Sequence, residues 1–194
     1  MQPLSAGRRT NVLDELRNDI LDKSVKVGDF VLKSGQRSKW FIDAKQTLCR
    51  PPGMLLAANA VLDVLEAMPV RPDAIGGLTM GADPVAFITA GVAADRGIEL
   101  KAFSIRKEEK THGAGGAVAG ALDPGDRVIV VEDVSTRGTS LLQAVDAIRS
   151  VGAVPVLALA VVDRGGTVGE LAAKAGVEFK ALITAPDLGF EFGS

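Results

Sequence analysis

The chain reads as an α/β protein: one domain on a mostly parallel, five-stranded sheet flanked by helices. Three observations predict this. Val128-Ile129-Val130-Val131 is a β-branched run without polar alternation, the mark of a strand buried on both faces. Four more short apolar runs, at 73–77, 101–107, 155–162 and 178–183, are separated by segments of helical period, so strands and helices alternate. Two of these strands run straight into glycine-rich turns that open a helix.

At 194 residues the chain is long enough for one well-cored domain, and 47% hydrophobic residues exclude a disordered polymer. A formal net charge of -2 gives no support to a nucleic-acid or membrane-seeking surface, so any basic residues serving an anionic substrate must be clustered. Cys49 is the only cysteine, which leaves neither a disulfide framework nor a cysteine metal site. The polar first eleven residues lack an apolar signal core, and no apolar run is long enough to span a bilayer. A soluble cytoplasmic protein is therefore the expectation, without internal repeats or low-complexity tracts.

In chain order, Thr10 or Asn11 is placed to cap a helix carrying Val12, Leu13, Leu16 and Ile20 on one side. Residues 27–35 and 39–43 read as two strands of a hairpin, joined by Ser34-Gly35-Gln36-Arg37-Ser38, with Trp40 and Phe41 as core residues of a subdomain. Pro51-Pro52-Gly53 starts a helix with Met54, Leu55, Ala58, Val61, Leu62 and Leu65 at helical spacing. The strand at 73–77 enters Leu78-Thr79-Met80-Gly81-Ala82-Asp83-Pro84, where Pro84 is pre-set for a first helical turn. Along 101–107, Ala102, Ser104 and Arg106 alternate with Phe103, Ile105 and Lys107. That strand delivers Arg106-Lys107-Glu108-Glu109-Lys110-Thr111-His112-Gly113, which holds the single histidine. Composition alone fits a solvated loop there. Cations on a glycine-rich hinge equally suit a lid over a polyphosphate.

The buried run at 128–131 ends in Glu132 and Asp133, at the strand end where an open α/β sheet keeps its ligand crevice. Val134, Ser135, Thr136, Arg137 and Gly138 follow, and Thr139 or Ser140 is placed to cap a helix carrying Leu141, Leu142, Val145 and Ile148. Strand, small-residue turn and helix N-terminus make an anion cradle of backbone N–H groups. Two carboxylates would repel a phosphate, so their partners are hydroxyls or a metal ion beside it. A phosphorylated sugar offers both. The strand at 155–162 ends in Asp163-Arg164, where the arginine either pairs with its neighbour at the surface or faces the crevice.

The stretch from Val130 to Ser140 resembles the signature with which type I phosphoribosyltransferases bind 5-phosphoribosyl-1-diphosphate (PRPP). Arg137 departs from it, since the family has a small residue there; it either adds charge near the phosphate or points outward. Three other stretches resemble one branch, the orotate phosphoribosyltransferases. They are Phe30-Val31-Leu32-Lys33-Ser34-Gly35 with Trp40-Phe41-Ile42-Asp43, the Arg106-Lys107-x-x-Lys110-x-His112-Gly113 spacing, and Val162-Asp163-Arg164. Gly76-Gly77-Leu78-Thr79-Met80-Gly81-Ala82-Asp83-Pro84 is similar to actinobacterial members, where this turn holds the pyrophosphate.

The resemblance covers nearly the whole chain and implies a type I phosphoribosyltransferase fold. A small N-terminal hood is then formed mainly by 20–45 plus the C-terminal segment, and 107–120 is a flexible catalytic loop. It implies transfer of ribose 5-phosphate from PRPP to orotate, giving orotidine 5′-monophosphate and pyrophosphate, in pyrimidine nucleotide synthesis. Lys110, His112 and Asp133 are the implied catalytic residues. PRPP falls to Lys33, Arg106, Lys107, Lys110, His112, Glu132, Asp133 and residues Val134, Ser135, Thr136, Arg137, Gly138, Thr139 and Ser140. Orotate falls to Phe41, Ile42, Thr136 and Arg164, whose planar guanidinium suits a carboxylate. Mg²⁺ is the implied cofactor, held mainly by substrate oxygens and water rather than by protein ligands. Adjacent strand residues point to opposite faces, so Arg106 and Lys107 do not easily serve one pocket from one chain. A homodimer that shares its loop across the interface resolves this, as the family does. A purine or uracil phosphoribosyltransferase would lack the loop spacing and Val-Asp-Arg. A PRPP-sensing regulator would lose the loop cations and add a basic nucleic-acid surface.

Overall fold

Good helix formers at Ala6, Arg8 and Arg9 carry helix α1 (Ala6–Lys23) past the expected cap, so Thr10 and Asn11 lie inside the helix rather than at its start. The computed structural model describes residues 6–31, 35, 37–107 and 117–194, with side chains described from residue 12 onward. Strands β1 (Val25–Val31) and β2 (Arg37–Ile42) pair antiparallel as the expected hairpin and form a separate two-stranded sheet. A single-turn helix α2 (Lys45–Leu48) follows, then α3 (Pro51–Glu66) with its prolines in the first turn. Leu55, expected in the core stripe of α3, is 49% exposed; Gly53, Ala57 and Ala60 are buried instead, because the stripe is rotated toward its small residues.

Strand β3 (Ala74–Leu78) leads through its glycine-rich turn into α4 (Asp83–Asp95), then β4 (Lys101–Ile105). The β4 strand stops before Arg106 and Lys107. Strand β5 (Val118–Gly120) lies inside the stretch expected to be loop, because it returns to pair antiparallel with Phe103, Ser104 and Ile105. Then come β6 (Arg127–Ser135), α5 (Thr139–Ser150), β7 (Val154–Asp163), α6 (Val168–Lys174), β8 (Glu178–Thr184) and a 3-10 turn at Pro186–Leu188.

The central sheet has the order β5-β4-β3-β6-β7-β8, with all neighbours parallel except β5 on β4. The five parallel strands are thus those expected, joined by a sixth, three-residue edge strand. Counted in chain order, the parallel strands lie second, first, third, fourth, fifth, so the direction of winding reverses between β3 and β6. Alternation along β6 sends Ile129 and Val131 to one face, where α1, α3 and α4 supply Leu16, Ile20, Val61 and Val85. Val128 and Val130 go to the other face, against Leu141, Val145 and Ile148 of α5. Burial of both faces is why these strands need unbroken apolar runs. No described helix is long and apolar enough to cross a membrane.

Candidate active site

In a doubly wound sheet the ligand crevice opens at the carboxyl ends of the strands flanking the reversal point. Here those ends are the turn after β3 and the turn after β6. The first turn is tied down at its start: Thr79 N–H donates to Ile105 O at 2.8 Å, and Thr79 Oγ1 donates to Asp83 Oδ2 at 2.6 Å. Ser104 also donates to Asp83. Among the described residues, no three His, Cys, Asp or Glu side chains gather as a metal site.

The second turn is the one expected to cradle an anion. Ser135 and Gly138 are buried, Thr136 and Ser140 half-buried, and Thr139 exposed at the start of α5. Neither Thr139 nor Ser140 caps the helix. The N-cap is Gly138 in the left-handed region (φ 72), whereas side-chain capping requires an extended cap residue. The turn is braced from behind, where Arg164 N–H donates to Ser135 O at 2.8 Å. The side chain of Arg137 is exposed.

The two acids diverge. Glu132 lies among the Ser140 and Ser135 hydroxyls on the α5 side; burial first, then the charge of Asp133, push its carboxyl up to about 7, against the pull of those hydroxyls and Lys107. Asp133 turns the other way. Its Oδ1 accepts the Val134 N–H at 2.8 Å, and its Oδ2 accepts Lys45 Nζ at 2.9 Å. Gly81 of the first turn faces this carboxylate so closely that a Cβ there would collide with Oδ1. The side chain of Asp133 thus abuts the first turn.

Arg164, at the end of β7, is only 5% exposed and does not pair with Asp163. Asp163 Oδ1 instead accepts the Gly165 and Gly166 N–H groups, each at 3.0 Å. The guanidinium reaches under the hood: Nη2 donates to Ser38 Oγ (2.9 Å), Trp40 O (3.3 Å) and Ser194 O (2.7 Å). Its Nε is buried without a partner among the described residues. Burial pushes the guanidinium below its ordinary pKa. Trp40 is fully buried as expected, whereas Phe41 is 39% exposed and tilts against Phe30. Ile42 is buried beside them.

The other expected site residues divide. Arg106 closes the base of the loop by donating its N–H to Ala117 O at 2.8 Å, and Lys107 is exposed within the field of Glu132. Lys33, Lys110 and His112 lie outside the described residues. Lys45, Ser38 and the Ser194 backbone were not expected at the site, whereas Gly81 lies in the turn expected to hold the pyrophosphate. Only Lys45 had a local signal, as a cation beside Asp43 in the hood motif.

A glycine turn opening a helix and a buried carboxylate, both at one strand end beside the reversal point of such a sheet, are the arrangement of a type I phosphoribosyltransferase fold. No family model matches the chain. It is 38% identical to an orotate phosphoribosyltransferase of Rhodopirellula baltica over 173 residues, 87% of this chain and 90% of that one. The solved orotate phosphoribosyltransferase of Mycobacterium tuberculosis in complex with Fe(III) dicitrate superposes with a TM-score of 0.82 at 31% identity, covering 92% and 99% of the two chains. The same enzyme in complex with PRPP gives a TM-score of 0.77 at 29% identity, over the same shares. The chain belongs to the orotate phosphoribosyltransferase family.

Proposed function

We propose that this chain joins PRPP and orotate to give orotidine 5′-monophosphate and pyrophosphate, a cytoplasmic step of pyrimidine nucleotide synthesis. The observation that carries this is the closeness of the Ser135–Ser140 turn, whose Ser135 O accepts the Arg164 N–H, to the side chain of Arg164, a buried guanidinium whose Nε has no partner among the described residues. The cradle suits the 5′-phosphate, through the backbone N–H groups at the start of α5. Asp133 and Glu132, at the same strand end, suit the ribose hydroxyls. The turn from Thr79 to Asp83 suits the pyrophosphate. Arg164, with the backbone near Phe41, Ile42 and Thr136, suits orotate, whose carboxylate matches a guanidinium.

No protein nucleophile is required. The ring nitrogen of orotate attacks the anomeric carbon as the bond to pyrophosphate breaks, through an oxocarbenium-like state. The protein's part is to align the two and to meet charge building on the leaving group. Arg106, Lys107, Lys110 and Lys33 are the cations for that charge, and His112 a proton donor to the departing pyrophosphate. Mg²⁺ would enter on PRPP oxygens and water, and when bound it offsets part of the pyrophosphate charge. An oxygen-rich crevice suits such a hard cation.

We also propose a homodimer in which the loop between β4 and β5 acts across the interface. Exposed Met80, beside the crevice, and Phe87 on α4 supply apolar surface for a partner. The test is loss of orotate absorbance with PRPP and Mg²⁺, run beside uracil, adenine and hypoxanthine. Orotate consumed alone is the expected result; turnover of another base in its place would overturn the assignment.

A further inference from the structure

Lys45 belongs to neither turn nor to the loop, yet its ammonium is the cation placed on the ribose-binding acid. It rises from α2, a short helix whose base is immobilised: Ala44 and Leu48 are buried, and Thr47 Oγ1 accepts from Ser24 Oγ at 2.9 Å and donates to Asp19 O at 3.1 Å. From that base Nζ reaches Asp133 Oδ2 at 2.9 Å and Asp43 Oδ1 at 3.5 Å. Burial works against its charge, but the hydrogen bond and field of Asp133, backed by Asp43, hold its pKa above the ordinary lysine value. With Val134 N–H on Oδ1 and Gly81 closing the near side, the Asp133 carboxylate is gripped at both oxygens before any substrate arrives.

Two needs of the proposed chemistry meet here. PRPP is a polyanion approaching a strand end that carries two neighbouring carboxylates. Its ribose hydroxyls also need a carboxylate already aimed at them, because re-aiming it on binding costs affinity. We propose that Lys45 is a positioning residue for PRPP, orienting the Asp133 carboxylate toward the ribose and offsetting its charge against the incoming phosphates. The proposal rests on Asp133 receiving the ribose hydroxyls.

The test is a double-mutant cycle on full-length protein, reading PRPP affinity by calorimetry and kcat and KM by orotate loss. Lys45→Met should weaken PRPP binding about tenfold, the scale of one charge-assisted hydrogen bond, with KM for orotate within about twofold of wild type. Lys45→Arg should recover most of the loss, because it restores the charge. In an Asp133→Asn background, Lys45→Met should cost little more, because the residue acts through Asp133. If Lys45→Met fails to fold, Lys45→Gln takes its place. Wild-type PRPP affinity in the neutral variant, failure of arginine to rescue, or a full additional loss on top of Asp133→Asn would each overturn the role of Lys45. Wild-type affinity in Asp133→Asn alone would instead overturn the ribose assignment, and the role of Lys45 with it.

Discussion

The guanidinium carbon of Arg164 lies 4.6 Å from the centroid of the Trp40 ring, and Trp40 in turn stacks on Phe190, centroids 4.3 Å apart and planes 5° from parallel. A residue at the end of a core strand is thereby locked to the hood hairpin and to the C-terminal segment. Cation–π contact and hydrogen bonds from Nη2 hold the guanidinium plane at a set angle. A guanidinium held in this way suits a planar carboxylate by geometry as well as charge, the role proposed for it toward orotate.

Arg164→Lys keeps the charge but loses the plane and the fork. KM for orotate should rise about 10- to 100-fold, as for a lost charge-assisted hydrogen bond of about 1.5–3 kcal/mol. PRPP affinity measured by calorimetry should change little. A fall in PRPP affinity with orotate KM unchanged would place Arg164 in another part of the site.

Glu132 makes stability pH-dependent in a defined direction. Its carboxyl titrates at about 7 in the folded chain, against an ordinary value of 4.5. Between these values the folded state keeps a proton that the unfolded state has lost, so stability falls as pH rises through that window. The full effect is on the order of 3 kcal/mol. Glu132→Gln removes the titration, so its melting temperature relative to wild type should climb from pH 4.5 to pH 8. A difference that stays flat across that range would contradict the burial of this carboxyl.

Gly81→Ala tests the close approach of the two turns. The added methyl must displace the Asp133 carboxylate from between Gly81 and Lys45. Overpacking of this kind costs about 1–3 kcal/mol, so KM for PRPP should rise about 5- to 100-fold while the chain still folds. Unchanged PRPP kinetics would show that the carboxylate need not hold this position.

If the loop acts in trans, Lys110 serves the neighbouring site while Asp133 serves its own. Homodimers of Lys110→Ala and of Asp133→Ala should each be nearly inactive. After mixing under mild dissociating conditions and exchange confirmed by mass-tagged subunits, half the dimers carry one intact site, so about a quarter of wild-type activity should return. Activity no higher than the average of the two parents would remove loop sharing.

What the sequence determined by itself was whatever is written locally. The Val128–Val131 run requires a strand buried on both faces, and Gly138 marks the turn where the chain swings into α5. The positions of the acidic pair, of the glycine turn after it and of the arginine after β7 could therefore be read without coordinates, as could the order of strands and helices. The tertiary structure decided what depends on partners far along the chain. β5 is three residues with no pattern of their own, and it exists because β4 offers an edge. Glu132 and Asp133 look equivalent as neighbours. They differ because alternation along β6 sends one toward α5 and the other to Lys45, 88 residues away. Arg164 could be read as paired with Asp163; its actual partners, Ser38 and Trp40, are 126 and 124 residues distant and reach it only when the hairpin folds over the sheet. Periodicity records which face a residue occupies, and packing alone decides what waits on that face.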